Sequence, residues 1–128
     1  MVVLLDTHVL LWWLFNDKQL SYRARELIQT RDNDVLVSSA SGWEIATKHR
    51  IGKLPEAANV VSELPALLIR ARMQSLVITL EDALLAGAMR SSHRDPFDRM
   101  SAAQGLSRDI PVITNDPAIS GFDVETIW

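Results

Sequence analysis

Four short apolar runs, each followed by a polar break and a helix-patterned stretch, restrict this chain to a narrow set of folds. They are Val2-Val3-Leu4-Leu5, Val35-Leu36-Val37, Leu76-Val77-Ile78 and Val112-Ile113-Thr114. The runs are continuous rather than alternating, which is the pattern of strands buried on both faces of a parallel sheet. Val124-Glu125-Thr126-Ile127 supplies a final short strand. Between them, Asp6 or Thr7 caps a helix reaching about Phe15. A second helix runs from about Tyr22 to Thr30 with Leu20, Ala24, Leu27 and Ile28 on its inner face. Ser38-Ser39 leads into a helix carrying Trp43, Glu44, Ile45, Ala46 and Lys48. Residues 59 to about 74 are mainly helical, with Pro65 kinking the helix or starting a new segment. Thr79-Leu80-Glu81-Asp82 has capping-box character and opens a helix to about Ser91. Pro96 begins a last long helix that ends near Asp109. The expected architecture is a single three-layer α/β/α domain over residues 1–128, without repeat or linker.

The 128 residues can bury an independent core, and 48% hydrophobic with 23% charged residues is a globular composition. The absence of cysteine excludes disulfides and thiolate metal sites and fits the cytoplasm. The longest apolar run, Val9 to Phe15, falls far short of the ~20 residues that span a bilayer, and no signal peptide is read. A net charge of −3 argues at first against a nucleic-acid partner. Setting aside Asp6, Glu44, Asp95, Asp98 and Asp116 leaves 11 of the 16 acids against 13 bases, a balance of +2. Lys48, Arg50 and Lys53, then Arg90, Arg94 and Arg99, lie near those five acids. A polyanion could be held at the rim of a neutralised acidic cluster; solvated helix faces explain the same residues.

Asp6, Glu44, Asp98 and Asp116 each follow an apolar run or stand at a helix start. In an open parallel α/β sheet those points line one edge, where ligands bind. Taken singly, each has a structural explanation. Asp6 suits a helix cap, and Asp116 in Asn115-Asp116-Pro117 suits a turn or cap. Glu44 could close a capping box from Ser41 and pairs with Lys48 four residues on, although its flanks suggest a buried setting. Asp95-Pro96-Phe97-Asp98 is a complete helix start, with Asp95 as cap. Taken together, they are costly. Two carboxylates about 4 Å apart repel by roughly 4 kcal/mol at an effective dielectric near 20. Such a cluster binds a proton or a cation, and all-oxygen ligands suit Mg²⁺ or Mn²⁺ rather than zinc. Metal-assisted phosphodiester hydrolysis is the reaction class that follows. His8, His49 and His93 have no metal-ligand spacing; His93 is a further contact for phosphate.

Four blocks of the sequence resemble a known family. Leu4-Leu5-Asp6-Thr7-His8-Val9-Leu10-Leu11-Trp12-Trp13 is similar to the opening of PIN-domain ribonucleases of the VapC toxin type. Ser39 to Lys48 with Gly52-Lys53-Leu54-Pro55, His93 to Met100 with Ala103-Gln104, and Thr114-Asn115-Asp116-Pro117 resemble its later blocks, in family order. The resemblance implies a PIN-like fold with a five-stranded parallel sheet. It also implies Mg²⁺-dependent endoribonuclease activity (Mn²⁺ as substitute) that leaves a 5′-phosphate and a 3′-hydroxyl, and restraint by a VapB-type antitoxin. Carried over by position, Asp6, Glu44, Asp98 and Asp116 match the catalytic, metal-holding acids. Asp95 is a supporting acid and Thr114 helps to orient the last carboxylate. Apart from the resemblance, His93, Arg94, Arg99 and Lys48 are the expected substrate-binding residues, read from their charge and their nearness to these acids. Ser101 and Gly105 depart from the usual apolar or helix-favouring residues, and glycine in a helix interior costs about 1 kcal/mol.

Trp12 and Trp13 either complete the core or mark a contact for a partner helix or a second subunit, and the family pairs as homodimers. Two other readings compete. An aspartyl-phosphate phosphatase or receiver-like domain would use Asp6 as nucleophile, but Asp6-Thr7-His8 lacks the second acid such sites carry. A catalytically silent RNA- or antitoxin-binding module would keep the fold without turnover.

Overall fold

A computed structural model describes residues 1–128. Strand β1 (Val2–Leu5) lies at the centre of a five-stranded, all-parallel sheet. It is flanked by β2 (Asp34–Ser38) and β4 (Val112–Ile113), with β3 (Met73–Leu76) and β5 (Thr126–Ile127) at the edges, in the order β3-β2-β1-β4-β5. The helices are α1 (Thr7–Leu14), α2 (Tyr22–Gln29), α3 (Ser39–Arg50), α4 (Ala58–Arg70), α5 (Leu80–Ala88), α6 (Pro96–Arg108) and α7 (Pro117–Ser120). None is long and apolar enough to cross a membrane.

Alternate residues of β1 serve opposite layers, as the pleat requires. Val3 and Leu5 join Val35, Val37, Leu10, Ile45 and Leu68 in the larger core, whereas Leu4 joins Ala102, Val112, Ile119 and Phe122 in the smaller one. Both Trp12 and Trp13 are half-buried against the larger core, and Trp12 meets Trp128 edge-on at 5.7 Å. Core completion therefore accounts for the covered part of both rings.

The third strand lies three residues earlier than its apolar signal. Helix α4 continues through Pro65, ends at Arg70, and turns at Arg72, whose φ of 59° is left-handed. Met73 then pairs with Val35 and is buried, while Val77, inside the predicted strand, is 66% exposed. An edge strand has one neighbour and a half-wet face, so its own residues, Met-Gln-Ser-Leu, carry no continuous apolar run. Two helix boundaries also move. Ser38, not Ser41, caps α3 by accepting from the Ala40 amide, so Glu44 lies inside the helix instead of closing a capping box. Helix α5 has its predicted box between Thr79 and Asp82 but stops at Ala88. The last strand shortens to two residues.

Gly105 is required, not merely tolerated. A Cβ there would stand 2.7 Å from Val124 Cγ2 and 3.0 Å from Val112 Cγ2. The missing side chain lets α6 lie directly on β4 and on Val124, which more than offsets glycine's poor helix propensity.

Candidate metal centre

The chain order places a topological switch at β1, because β2 leaves to one side and β4 returns on the other. Asp6 follows β1 there. Its amide donates to the Ile113 carbonyl at 3.1 Å, which continues the β1–β4 ladder and sets Asp6 beside Thr114. The Thr114 hydroxyl donates to Asp6 Oδ2 at 2.8 Å and accepts from the Asp116 amide at 3.0 Å. Thr114 thus orients the first carboxylate, not the last as expected, although it does hold the Asp116 backbone. Asp6 occupies the cap position of α1 without accepting any capping bond. Its side chain faces another task.

Glu44 reaches the same region from α3. The Thr7 and Ser41 hydroxyls hydrogen-bond at 2.8 Å, both buried, and tie the start of α1 to α3. Glu44 lies three residues beyond Ser41, on the same helix face. It is 4% exposed, and its Oε2 forms an ion pair with the Lys48 ammonium. Trp43 is 60% exposed rather than buried, and meets Phe97 edge-on with ring centres 4.9 Å apart. Since Glu44 and Asp98 directly follow these two rings in sequence, that contact sets α3 and the start of α6 side by side.

Asp95 caps α6, its Oδ1 accepting from the amides of Phe97 and Asp98 at 2.9 and 3.0 Å. This structural role leaves Asp98 on the first turn, where its Oδ2 meets His93 Nε2 at 2.7 Å. Asp116 caps α7 through the Ala118 amide. The cap readings of Asp95 and Asp116 therefore hold, and that of Asp6 does not.

Electrostatics show which acids share a neighbourhood. Burial first, then the charges of Asp98 and Glu44, pushes the Asp6 carboxyl up to about 6 against the Thr114 bond and His8, which lower it. Asp98 is raised by burial and by Asp95 and Asp116, while His93 opposes the shift. Lys48 is raised above its ordinary value: burial lowers it, but Glu44, Asp95 and Asp98 outweigh that. Asp6 thus feels Asp98 and Glu44, and Asp98 feels Asp95 and Asp116, although no three acids or histidines close into a metal-binding group.

Arg99 departs from its expected role. Its guanidinium, with five N–H donors, meets five backbone carbonyls: Ala86, Gly87, Met89, Ser91 and His93. It also lies 5.5 Å over the Phe122 ring. Arg99 clamps the end of α5 and the loop into α6, the loop that delivers His93 to Asp98, and has no donor left for phosphate. Arg94 is exposed at the rim. The clamp, the Thr7–Ser41 bond and the Trp43–Phe97 contact were not read from sequence. The signal available was position: each lies next to an acid or one helical turn from it.

The PIN domain family profile matches residues 3–124. The chain belongs to the PIN-domain family. Ribonuclease VapC22 of Mycobacterium tuberculosis is 32% identical over 115 residues, covering 89% of this chain and 86% of that protein. That relationship puts the chain in the VapC group of PIN domains. The crystal structure of VapBC2 from Rickettsia felis, bound to a DNA fragment of its promoter, superposes with a TM-score of 0.72 at 16% identity, over 99% of this chain and 98% of that one. VapBC-1 from nontypeable Haemophilus influenzae superposes at 0.66 and 17%, over 99% and 97%. These likenesses establish the PIN fold.

Proposed function

We propose that this PIN domain is a Mg²⁺-dependent endoribonuclease, the toxin of a VapBC-type pair, with Mn²⁺ as a substitute ion. One observation carries the reading. Asp6, buried at the switch point, has a hydroxyl as its hydrogen-bond partner and feels two further acids, which is the setting of a functional rather than a structural carboxylate. The relative named ribonuclease supports the substrate class.

The donor set fits a hard divalent ion: all oxygen, partly buried and mutually repelling. The side chains are distributed among Thr114, Lys48, His93 and the Ala118 amide, and no three acids or histidines close into a ready-made metal cluster. Asp6, Glu44, Asp98 and Asp116 would hold the ion. When bound, it supplies Lewis acidity to a phosphodiester and to water. The protein's own share is positioning. Thr114 fixes Asp6 by one oxygen, His93 fixes Asp98 by one oxygen, and the cap fixes Asp116 by one oxygen, so each keeps a second oxygen for the centre. A carboxylate among them accepts the proton of the attacking water. Arg94 and Lys48 at the rim attract the RNA backbone, and His93 contacts phosphate.

A groove of about 240 Å³ beside the centre, lined by Trp43, Ile78 and Met100 with Arg94 at its rim, suits an antitoxin segment. A homodimer, a cytoplasmic location and one domain spanning 1–128 complete the proposal. The test is cleavage of a structured RNA by purified protein in Mg²⁺, in EDTA, and by Asp6→Asn and Asp98→Asn. Cleavage only by the wild type in Mg²⁺ is expected. Equal cleavage by folded variants would assign the activity to a contaminant. No cleavage by wild type that still binds antitoxin would favour the silent module.

A further inference from the structure

We propose that a cleft at the amino edge of the sheet, opposite the metal centre, anchors the phosphate backbone of RNA through Arg31, Arg70 and Arg72. The inference rests on the ribonuclease reading above and adds a second point of contact to it. The strands are parallel, so the segments entering β2 and β3 share one edge, and those leaving β1 and β4 toward Asp6 and Asp116 share the other. The two edges stand one strand length apart, on the order of 15 Å. At the entering edge, the turn before β2 and the turn from α4 into β3 wall a cleft of about 400 Å³, with Trp13 at its side. The charged groups lining it are three guanidiniums and one carboxylate, that of Asp34. In a chain of net charge −3, this is a local reversal of sign.

The fold does not consume these arginines. Helices α2 and α4 both end here, and a helix C-terminus favours a cation, but other groups close those ends. The Ala71 and Arg72 amides donate to the Leu67 and Ile69 carbonyls, while the Thr30 amide and the Asn33 side chain donate to those of Glu26 and Leu27. Arg25, Arg99 and Arg108 are the arginines whose side chains hydrogen-bond within the protein; the three at the cleft do not, and none forms an ion pair. The backbone adds a second observation. Four non-glycine residues have a left-handed φ, and three of them, Asn16, Asp109 and Asp123, are types that region suits. Arg72 is the exception, where backbone geometry alone would favour glycine. The third observation is the half-buried Trp13, whose indole N–H has no acceptor in the protein. It is not sealed in the core, since Gln104 Oε1 is the only buried side-chain polar atom without a partner. Uncommitted guanidiniums beside an aromatic wall suit single-stranded RNA, with charge for the phosphate and a ring for the base. An acidic peptide matches the charges alone.

The test is binding of a fluorescent uridine decamer, followed by polarisation in EDTA, where the bare acids of the metal centre repel RNA. The wild type should bind. Arg70→Gln/Arg72→Gln should bind roughly tenfold more weakly, and its slope of log affinity against log salt should be shallower by about 1.4. Lys18→Gln/Arg23→Gln, the same charge change outside the cleft, should bind as the wild type does. Arg72→Gly should bind more weakly yet melt no lower, because glycine suits that backbone. The Trp13 indole N–H resonance should shift as the decamer is added. An equal loss in the Lys18/Arg23 pair, or wild-type affinity in Arg72→Gly, would overturn the inference. So would displacement of the decamer by polyglutamate, which points to an acidic protein partner, or tighter binding of uridine monophosphate than of the decamer, which points to a free nucleotide. Decamer binding without RNA cleavage in Mg²⁺ would remove the ribonuclease reading and uphold the cleft. Cleavage in Mg²⁺ without decamer binding in EDTA would do the reverse.

Discussion

Two aspartates lie almost wholly out of solvent, Asp6 at 4% exposure and Asp82 at 2%, and their surroundings treat them in opposite ways. Asp82 receives the Arg108 guanidinium through both oxygens at 2.9 Å, the Thr79 amide at 3.1 Å, and Gln104 at 3.2 Å. Led by Arg108, these partners hold its carboxyl well below the usual range. Asp6 has one hydroxyl, and burial with neighbouring acids drives it upward. The Asp82 network pins α5 to α6, whereas the Asp6 setting works against the fold at neutral pH. A buried charge with matched donors is scaffold. One surrounded by like charges is held there by the rest of the structure and is free to bind a cation.

The largest effect that separates the two should come from Asp98→Asn or Asp6→Asn, which are expected to lower RNA cleavage roughly 10²–10³-fold, as loss of a charge-stabilising group does. Asp82→Asn should leave cleavage per folded molecule unchanged, and single-turnover rates on structured RNA make the comparison. Next in size, Asp82→Asn should cost about 2–3 kcal/mol in urea unfolding, since it weakens the charge-assisted hydrogen bonds that the partly exposed Arg108 makes to the buried carboxylate. A loss near zero would make the network incidental.

The third prediction has the opposite sign. A carboxyl raised from 3.8 to about 6 favours folding in its protonated form, a contribution present below 3.8 and lost as pH rises through 6. Asp6→Asn in EDTA should therefore stabilise the protein by about 2–3 kcal/mol at pH 8 and by almost nothing at pH 4. Asp82, with its depressed carboxyl, stabilises at neutral pH and loses that contribution as the pH falls through the depressed value. Urea midpoints across pH should show the two slopes diverging. The smallest effect is expected of Thr114→Val, about 1 kcal/mol of lost hydrogen bonding. It should also move the Asp6 titration, followed by carbon NMR in EDTA, above its wild-type value. A downward move would mean that the hydroxyl does not favour the charged form.

Legibility tracked the number of neighbours each segment has. β1, β2 and β4 are flanked on both sides, so their apolar runs announced them; β3 is an edge, and its signal was displaced onto Leu76-Val77-Ile78, which lies mostly past the strand. Helix starts with a dedicated chemistry, Thr79 to Asp82 and Asp95-Pro96, were readable because capping depends on a few adjacent residues. Gly105 looked like a weakness because propensity sees only the helix, not Val112 and Val124 lying against it. Arg99 looked like a phosphate ligand because composition records its charge and not the five carbonyls around it.

By itself the chain determined the parallel α/β sheet and which acids follow its strands, because burial on two faces and helix capping are local, periodic demands. Only the tertiary structure decided what each acid does there. Distance and desolvation, not residue type, distinguish Asp6 from Asp82, Asp98 from the capping Asp95, and the ammonium of Lys48 from the committed guanidinium of Arg99.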